Sequence, residues 1–419
     1  MKKTLEQKLH ERQVHKPNFM LYNFLGYLWK YTVAKKYQVE TEFIDNPKKE
    51  KGAYILVSNH ASRADYIFTA VPLLPQTFNF VVGYNEFFRS HLAPILKLLQ
   101  EIPKKNFTPD LYPIMQMKKI VSNGGRIQIF LEGMSSISGG SQPIALGGAK
   151  LLKWLNVPVY VSNIKGGYLT APKYNLTDRP GKVKVTFKKL FSREDLAKYS
   201  IDEMTDILNK EIHTDDYGYN EVVKTFYKSN QIALNIDQLL YKCPKCGAEF
   251  EMTSTNTSFK CKKCGNEVEM DNYYTLKVKD NSITLKNPKV WFDYQREEVK
   301  KEIQDENFSF EEEVEIGFLP KYKYLKHLAT SIIEGNGTLR IDHQGIHFRG
   351  YRNNKEFNFD LDLSETPTYG MCTDATRFYT FLKGGEFIEF YPSRNSVIKW
   401  LLVTEELHRM HGGAWQNYK

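Results

Sequence analysis

The sequence offers no clean apolar run of the roughly 20 residues that a membrane-spanning helix needs. Its first apolar stretch, residues 19–34, is broken by Asn23 and Lys30. A secretory signal is not expected either. The basic start Met1-Lys2-Lys3 leads into Glu6, Lys8, Glu11 and Arg12 where such a signal would carry its apolar core, so export is not expected. Cysteine is sparse at five residues, and a chain without an export signal is not expected to close disulfides. No serine or cysteine stands out as a nucleophile.

What the chain has is bulk and positive charge. With 419 residues and 41% hydrophobic content it can bury one large core and one or two smaller ones, which suggests several domains. The formal net charge of +9 suits an anionic partner. The aromatic residues of 19–34, with Lys35 and Lys36 behind them, suit a helix lying in the headgroup layer of an anionic bilayer. A helix packed on its own domain would show similar amphipathicity.

The most informative stretch is Ser58-Asn59-His60-Ala61-Ser62-Arg63-Ala64-Asp65, after the apolar run Ala53-Tyr54-Ile55-Leu56-Val57. A buried strand ending in a polar, His-bearing turn is where α/β sheets place chemistry. On a straight helix His60 and Asp65 would lie about 140° apart. If the chain turns at Ala61 and Ser62 before a helix begins near Arg63, the carboxylate can swing back to the imidazole. Such a pair fixes the His tautomer and leaves the other ring nitrogen basic, aimed at a hydroxyl brought by a substrate. A loop histidine merely satisfied by a neighbouring carboxylate has the same spacing.

Asn59-His60-Ala61-Ser62-Arg63-Ala64-Asp65 resembles the NHxSxxD block of the glycerophospholipid (lysophosphatidic acid) acyltransferase family. Ile127-Gln128-Ile129-Phe130-Leu131-Glu132-Gly133-Met134-Ser135-Ser136 resembles its FPEGTRS block, keeping Glu132 and Gly133 but holding Met134 and Ser135 at the Thr and Arg positions. Asn156-Val157-Pro158-Val159-Tyr160-Val161 resembles the closing apolar strand, and the ordered blocks cover about 50–190. The resemblance implies an α/β acyltransferase domain, a mixed sheet with flanking helices. His60 would be the base and Asp65 its orienting carboxylate, with Asn59, Ser62, Glu132 and Gly133 shaping the substrate site. Because the Arg is missing, Lys104 or Lys105 is expected to supply the cation for an acceptor phosphate. The implied reaction moves a fatty acyl group from acyl-CoA or acyl carrier protein, without a redox cofactor, to a glycerolipid hydroxyl. The acceptor implied is 1-acyl-glycerol-3-phosphate, and the setting is phospholipid synthesis at the cytoplasmic face of the cell membrane, peripheral or monotopic. Met134 and Ser135 keep a different lipid or alcohol acceptor open. A catalytically inactive zinc-ribbon membrane scaffold is a further alternative.

Two CxxC pairs, Cys243/Cys246 and Cys261/Cys264, are each followed by glycine and separated by 14 residues. Four thiolates on two knuckles make a structural zinc ribbon, with Gly247 and Gly265 where the tight turns need them. The fifth cysteine, Cys372, has no partner nearby in sequence. Five lysines around the ribbon are diluted by glutamates, and the stacking aromatics are few, so nucleic acid is not the expected partner.

Elsewhere, 192–240 reads as helical, including the stripe Ile232, Leu234, Ile236, Leu239 and Leu240, and 182–187 as the strand that closes the sheet. Gly139-Gly140 and Gly147-Gly148 bracket a rim over 141–146 near Glu132. Beyond 271 strands dominate. Hairpins are expected at 347–361 and 378–390, with a helix from about Ser396 to Met410, an outline that resembles a small pleckstrin-homology or GRAM barrel. Glu311-Glu312-Glu313 reads as a solvated face or linker. The resulting division is 1–45, an amphipathic membrane-associating helical segment; 46–240, the acyltransferase domain; 241–270, the four-cysteine ribbon; and 271–419, a β-rich accessory domain ending in a helix. Oligomeric state is not legible.

Overall fold

The structure is a computed structural model, and it describes residues 2–144, 147–326, 329–372, 374–413 and 415. Ala145 and Leu146 of the expected rim lie outside the described residues.

The first unit is built on a seven-stranded sheet, β1 (Gln38–Phe43), β2 (Ile55–Ser58), β3 (Asn79–Gly83), β4 (Ile102–Lys104), β5 (Ile127–Phe130), β6 (Val159–Lys165) and β7 (Lys182–Phe191), in the order β1-β7-β6-β2-β5-β3-β4. β2 is parallel to β5 and β6, and β6 meets β7 antiparallel, so the sheet is mixed. Strand β2 is buried at all four positions. Leu56 packs with Phe68 and Phe78 on one face, while Ile55 and Val57 pack with Met117, Ile120 and Leu152 on the other. Helices cover both faces, which explains the unbroken apolar run in place of alternation.

Two readings of this region change. β7 does not close the sheet, because β1 lies outside it in parallel register, and a boundary at residue 46 would cut that strand from its sheet. β1 is an edge strand held partly by charge, with Glu40 bound to Lys182 at 2.6 Å and Glu42 to Lys184 at 2.8 Å, so hydrophobic patterning does not reveal it. The helical reading of 192–240 holds for Arg193–Lys198, Ile201–Ile212 and Asp216–Val223 but not beyond. Residues 224–240 are irregular apart from a short 3-10 turn at Ile236–Gln238, and Asn235 takes a positive φ of 66°. Ile232, Ile236, Leu239 and Leu240 are apolar because this connection is buried in the core, not because it is helical.

Helix Phe19–Tyr31 is capped by the Asn18 side chain, which accepts from the Leu21 amide. Tyr22, Leu25 and Trp29 pack with Leu74 and Leu99. Phe19, Met20, Phe24, Tyr27, Leu28 and Tyr31 stay exposed. Among the described residues, no helix is long and apolar enough to cross a membrane.

A four-stranded antiparallel sheet follows, β8 (Met252–Ser254), β9 (Ser258–Cys261), β10 (Glu267–Met270) and β11 (Leu276–Val278). β11 pairs with β10, so the ribbon sheet runs past residue 270. The next element is a helix, Pro288–Glu302, which the strand-rich reading of 271–419 misses. Its inward residues Trp291, Phe292, Gln295 and Val299 recur at helical spacing, but most of the other residues of the helix are charged.

The last unit is a second seven-stranded sheet, all antiparallel: β12 (Ser309–Phe318), β13 (Ile332–Asp342), β14 (Gly345–Arg352), β15 (Lys355–Leu361), β16 (Gly370–Met371), β17 (Phe378–Phe381) and β18 (Phe387–Pro392). The order β15-β14-β13-β12-β18-β17-β16 describes two meanders joined where β12 meets β18. Helix Val397–Met410 packs into it, with Trp400 4.8 Å from Phe310 ring to ring. Both expected hairpins form. Glu312 is not on a solvated face: it is buried and accepts from Ser393 Oγ at 3.0 Å, the Arg394 amide at 3.1 Å and Trp400 Nε1 at 3.2 Å, and so anchors the start of that helix.

Candidate active site

β2 and β5 end together, Ser58 in register with Phe130, so the two motif loops leave the carboxyl ends of adjacent parallel strands. That is the crevice position of an open α/β sheet. Asn59 makes the first turn. Its amide donates to the Ile164 carbonyl at 2.8 Å and accepts from the Ile164 N–H at 2.7 Å, continuing the β2–β6 pairing by side chain. Fully buried with both ends occupied, Asn59 turns the loop and does not face a substrate, contrary to its expected role.

The chain then turns at Ala61 and Ser62, and a short helix starts at Asp65. The carboxylate swings back, as the turn at Ala61 and Ser62 allows. Asp65 Oδ2 lies 2.8 Å from His60 Nδ1, both Asp65 oxygens accept from the Ser62 amide at 3.0 Å, and Oδ1 accepts from Ser62 Oγ at 3.2 Å. Asp65 is 1% exposed and His60 25%. Burial pushes the Asp65 carboxyl up, while its bonds to His60 and Ser62 pull against that shift. The imidazole stacks on Phe130, centroids 4.4 Å apart and planes at 23°, which sets the ring's plane. With Nδ1–H donated to Asp65, Nε2 is the free lone pair, and it has no hydrogen-bond partner among the described residues. Ser62 is a positioning residue: it holds the carboxylate, although its edge borders the cavity.

Glu132 is also turned inward, away from the role assigned to it. It accepts the His60 amide and, at 2.8 Å, the Gln142 amide, tying the two motif loops together. Burial pushes its carboxyl up to about 8. The Ser136 amide returns a bond to the His60 carbonyl at 2.7 Å. Gly133 does border the cavity, at φ +78°, and a Cβ there would meet the Phe107 ring at 3.0 Å.

His60 opens into a cavity of about 1970 Å³. Its lining includes apolar residues such as Trp29, Leu74, Val81, Ile95 and Leu151, and the β-rich unit contributes Met371, Tyr379, Phe381 and Gly385 to it. The expected cations fare differently from their assignment. Lys104 Nζ is held by backbone carbonyls, Thr108 at 2.9 Å among them. Lys105 Nζ is bound by the Gly385 carbonyl at 2.7 Å and faces the Tyr84 ring at 5.0 Å. Both border the cavity, but neither has a free ammonium. Sequence reading missed Lys173, which is buried, borders the same cavity and donates to Ser135 Oγ at 3.1 Å. It belongs to no motif, and no signal in the sequence marks it.

The four cysteines of the ribbon gather as their spacing requires, with all Sγ atoms within 4.8 Å of one another. Cys243 and Cys264 are 3.7 Å apart and Cys246 and Cys261 3.8 Å. A tetrahedral zinc with bonds of about 2.3 Å has sulfur–sulfur edges of about 3.8 Å, so the set fits that ion. Gly247 and Gly265, both at φ +70°, close the knuckles with N–H bonds of 2.9 Å to the Cys243 and Cys261 carbonyls. The buried Lys242 and Lys399 share Glu249 and Glu302, which links the ribbon to helices Pro288–Glu302 and Val397–Met410.

No curated protein matches the chain. Among solved structures, it is similar to the crystal structure of the 1-acyl-sn-glycerophosphate (LPA) acyltransferase PlsC from Thermotoga maritima, at 18% identity and a TM-score of 0.39, over 50% of this chain and 80% of that one. Residues 36–165, which contain both motif loops, match the family model described as Acyltransferase. The part of the chain with both motif loops is thus similar to the Acyltransferase family, and it is followed by a four-cysteine ribbon and a β-rich unit that ends in a helix.

Proposed function

We propose that the chain transfers a fatty acyl group from an acyl thioester, acyl-CoA or acyl carrier protein, to the hydroxyl of a glycerolipid, with 1-acyl-glycerol-3-phosphate as the acceptor. The observation that carries this reading is the His60–Asp65 pair at 2.8 Å, with Nε2 unpartnered at a cavity large enough for an acyl chain and a headgroup. His60 Nε2 takes the acceptor's hydroxyl proton as that oxygen bonds to the thioester carbonyl carbon. The C–S bond then breaks, and the proton on Nε2 passes to the leaving sulfur. Asp65 keeps Nδ1 protonated and stabilises the imidazolium between the two steps. The apolar wall suits the acyl chains.

The protein would act as a peripheral or monotopic enzyme on the cytoplasmic face of the membrane. The exposed apolar face of helix Phe19–Tyr31, with Lys30, Lys35 and Lys36 beside it, supports this. The four cysteines would hold a structural zinc ion, far in sequence from the reacting atoms. The test is acyl transfer by purified protein on liposomes, wild type against His60→Ala, with labelled acyl-CoA or acyl carrier protein and a lysolipid panel. Transfer to lysophosphatidate that His60→Ala abolishes is the expected result. No transfer from either donor to any acceptor, by a folded and zinc-loaded protein, refutes it.

A further inference from the structure

The segment that matches the family model, residues 36–165, does not supply the whole of the cavity into which His60 opens. Met371 on β16 and Tyr379 and Phe381 on β17 border it too, and all three are buried. Tyr379 is fixed from two directions. Its ring lies across Gly370, where a Cβ would fall 2.1 Å from the ring, and its hydroxyl accepts from Asn106 Nδ2 at 3.2 Å. Phe381 shares one apolar cluster with Tyr84, Phe87 and Phe88 of the first unit. Close by, the Leu325 amide donates to the Phe88 carbonyl and its carbonyl accepts from the Ser90 amide, both at 2.8 Å. The β-rich unit is thus seated firmly on the first unit at this wall.

The same unit reaches toward the motif loops. Trp415 meets the Phe107 ring edge-on, centroids 6.3 Å apart, and Phe107 in turn lies against Gly133. Phe107 holds a φ of 55°, a left-handed conformation unfavourable for a residue with a side chain, and the contacts of Asn106 with Tyr379 and of Phe107 with Trp415 brace it there. What the wall can bind follows from its chemistry. Met371 and Phe381 carry no charge, the Tyr379 hydroxyl is occupied by Asn106, and Lys105 Nζ, 5.7 Å over the Phe381 ring, is capped by the Gly385 carbonyl. The charged residues that this unit brings to the cavity, Asp362, Glu365 and Lys383, are all exposed. A buried surface of thioether and aromatic rings suits methylene groups. We propose that Met371, Tyr379 and Phe381 bind an aliphatic chain of the lipid substrates and set the longest chain accepted, which makes the β-rich unit a specificity-determining part of the substrate site. This rests on the acyl-transfer reading of His60 and Asp65.

The chain could belong to the acyl thioester or to the acceptor, so the experiment varies each in turn. Full-length wild type, Met371→Trp and Phe381→Ala are assayed with saturated acyl-CoA donors of increasing length on one lysophosphatidate, then with lysophosphatidates of increasing length and one donor. Met371→Trp fills the wall and should shorten the longest chain used well, each methylene that no longer fits lowering kcat/KM about fourfold. Phe381→Ala opens the wall and should move the limit the other way. A shift in the donor series assigns the wall to the transferred acyl group, and a shift in the acceptor series assigns it to the lysolipid; either supports the proposal. The readout is a ratio of kcat/KM for long and short chains within one preparation, so a partly folded variant still reports. Profiles of wild-type shape in both series for both variants, whatever the absolute rates, would overturn the assignment while leaving acyl transfer standing. A wild type that transfers from no donor to any acceptor overturns the underlying reading as well.

Discussion

Replacing Asp65 with asparagine probes the catalytic reading at a single proton. Asp65 accepts three kinds of bond, from the Ser62 amide, from Ser62 Oγ and from His60 Nδ1–H. Asparagine can keep an oxygen toward Ser62, which leaves its NH2 facing Nδ1. That arrangement requires Nδ1 to accept, so the ring proton moves to Nε2 and the base is lost although the ring has not moved. The same tautomer change in a histidine–carboxylate pair lowers turnover by about 10⁴-fold, or about 5 kcal/mol of activation free energy. A drop of about 10³- to 10⁴-fold in kcat/KM is expected for Asp65→Asn, and His60→Ala should fall at least as far. Stability should change by only about 1–2 kcal/mol, one hydrogen bond's worth. A neutral imidazole in the wrong tautomer is not corrected by alkali, so raising the pH should not restore the rate. The assay is the pH profile of acyl transfer on liposomes, beside a thermal melt. A variant within about tenfold of wild type, or one whose profile is merely displaced along the pH axis, would refute the tautomer argument.

Three further outcomes follow from the structure. The ribbon should hold a zinc ion whose removal by a strong chelator, or by Cys246→Ser, lowers the melting temperature by about 10 °C or more, because the Lys242–Glu302–Lys399 network carries the loss into the β-rich unit; Cys372→Ser should leave the zinc content measured by atomic absorption unchanged. Phe24 is 68% exposed on the apolar face of its helix, and burying a phenylalanine yields about 2 kcal/mol, so Phe24→Glu should weaken sedimentation with anionic vesicles about 30-fold or more; unchanged binding would remove that face from the membrane reading. Glu132 has its folded pKa raised to about 8 from the ordinary 4.5, so the unfolded carboxyl ionises first and stability falls as pH rises between those values, by up to about 1.4 kcal/mol per pH unit; chemical denaturation of Glu132→Gln across this window should show a shallower decline than wild type, and parallel curves would exclude the assignment.

The sequence by itself determined what depends on near neighbours. The apolar run 53–57 and the five-residue spacing from His60 to Asp65 already contain the strand, the turn and the pair, because a short loop leaves the carboxylate few places to go. The two CxxC pairs likewise contain the ribbon, since each knuckle closes within five residues. The two hairpins beyond 345 announced themselves by alternation. Only the tertiary structure decided what depends on partners distant in the chain. A polar edge strand at 38–43 is stabilised by lysines some 140 residues later, and a buried coil at 232–240 carries the apolar residues of a helix because it lies under other elements. Asn59 and Glu132 are spent on Ile164 and on the His60 and Gln142 amides, Lys105 on a carbonyl 280 residues away, and Lys173 reaches the cavity from a loop with no motif. Periodicity and spacing report which face of an element is buried and what lies one turn away. Which charges remain free at an active site is a matter of which distant groups have already been hydrogen-bonded, and the packing of the whole chain settles that.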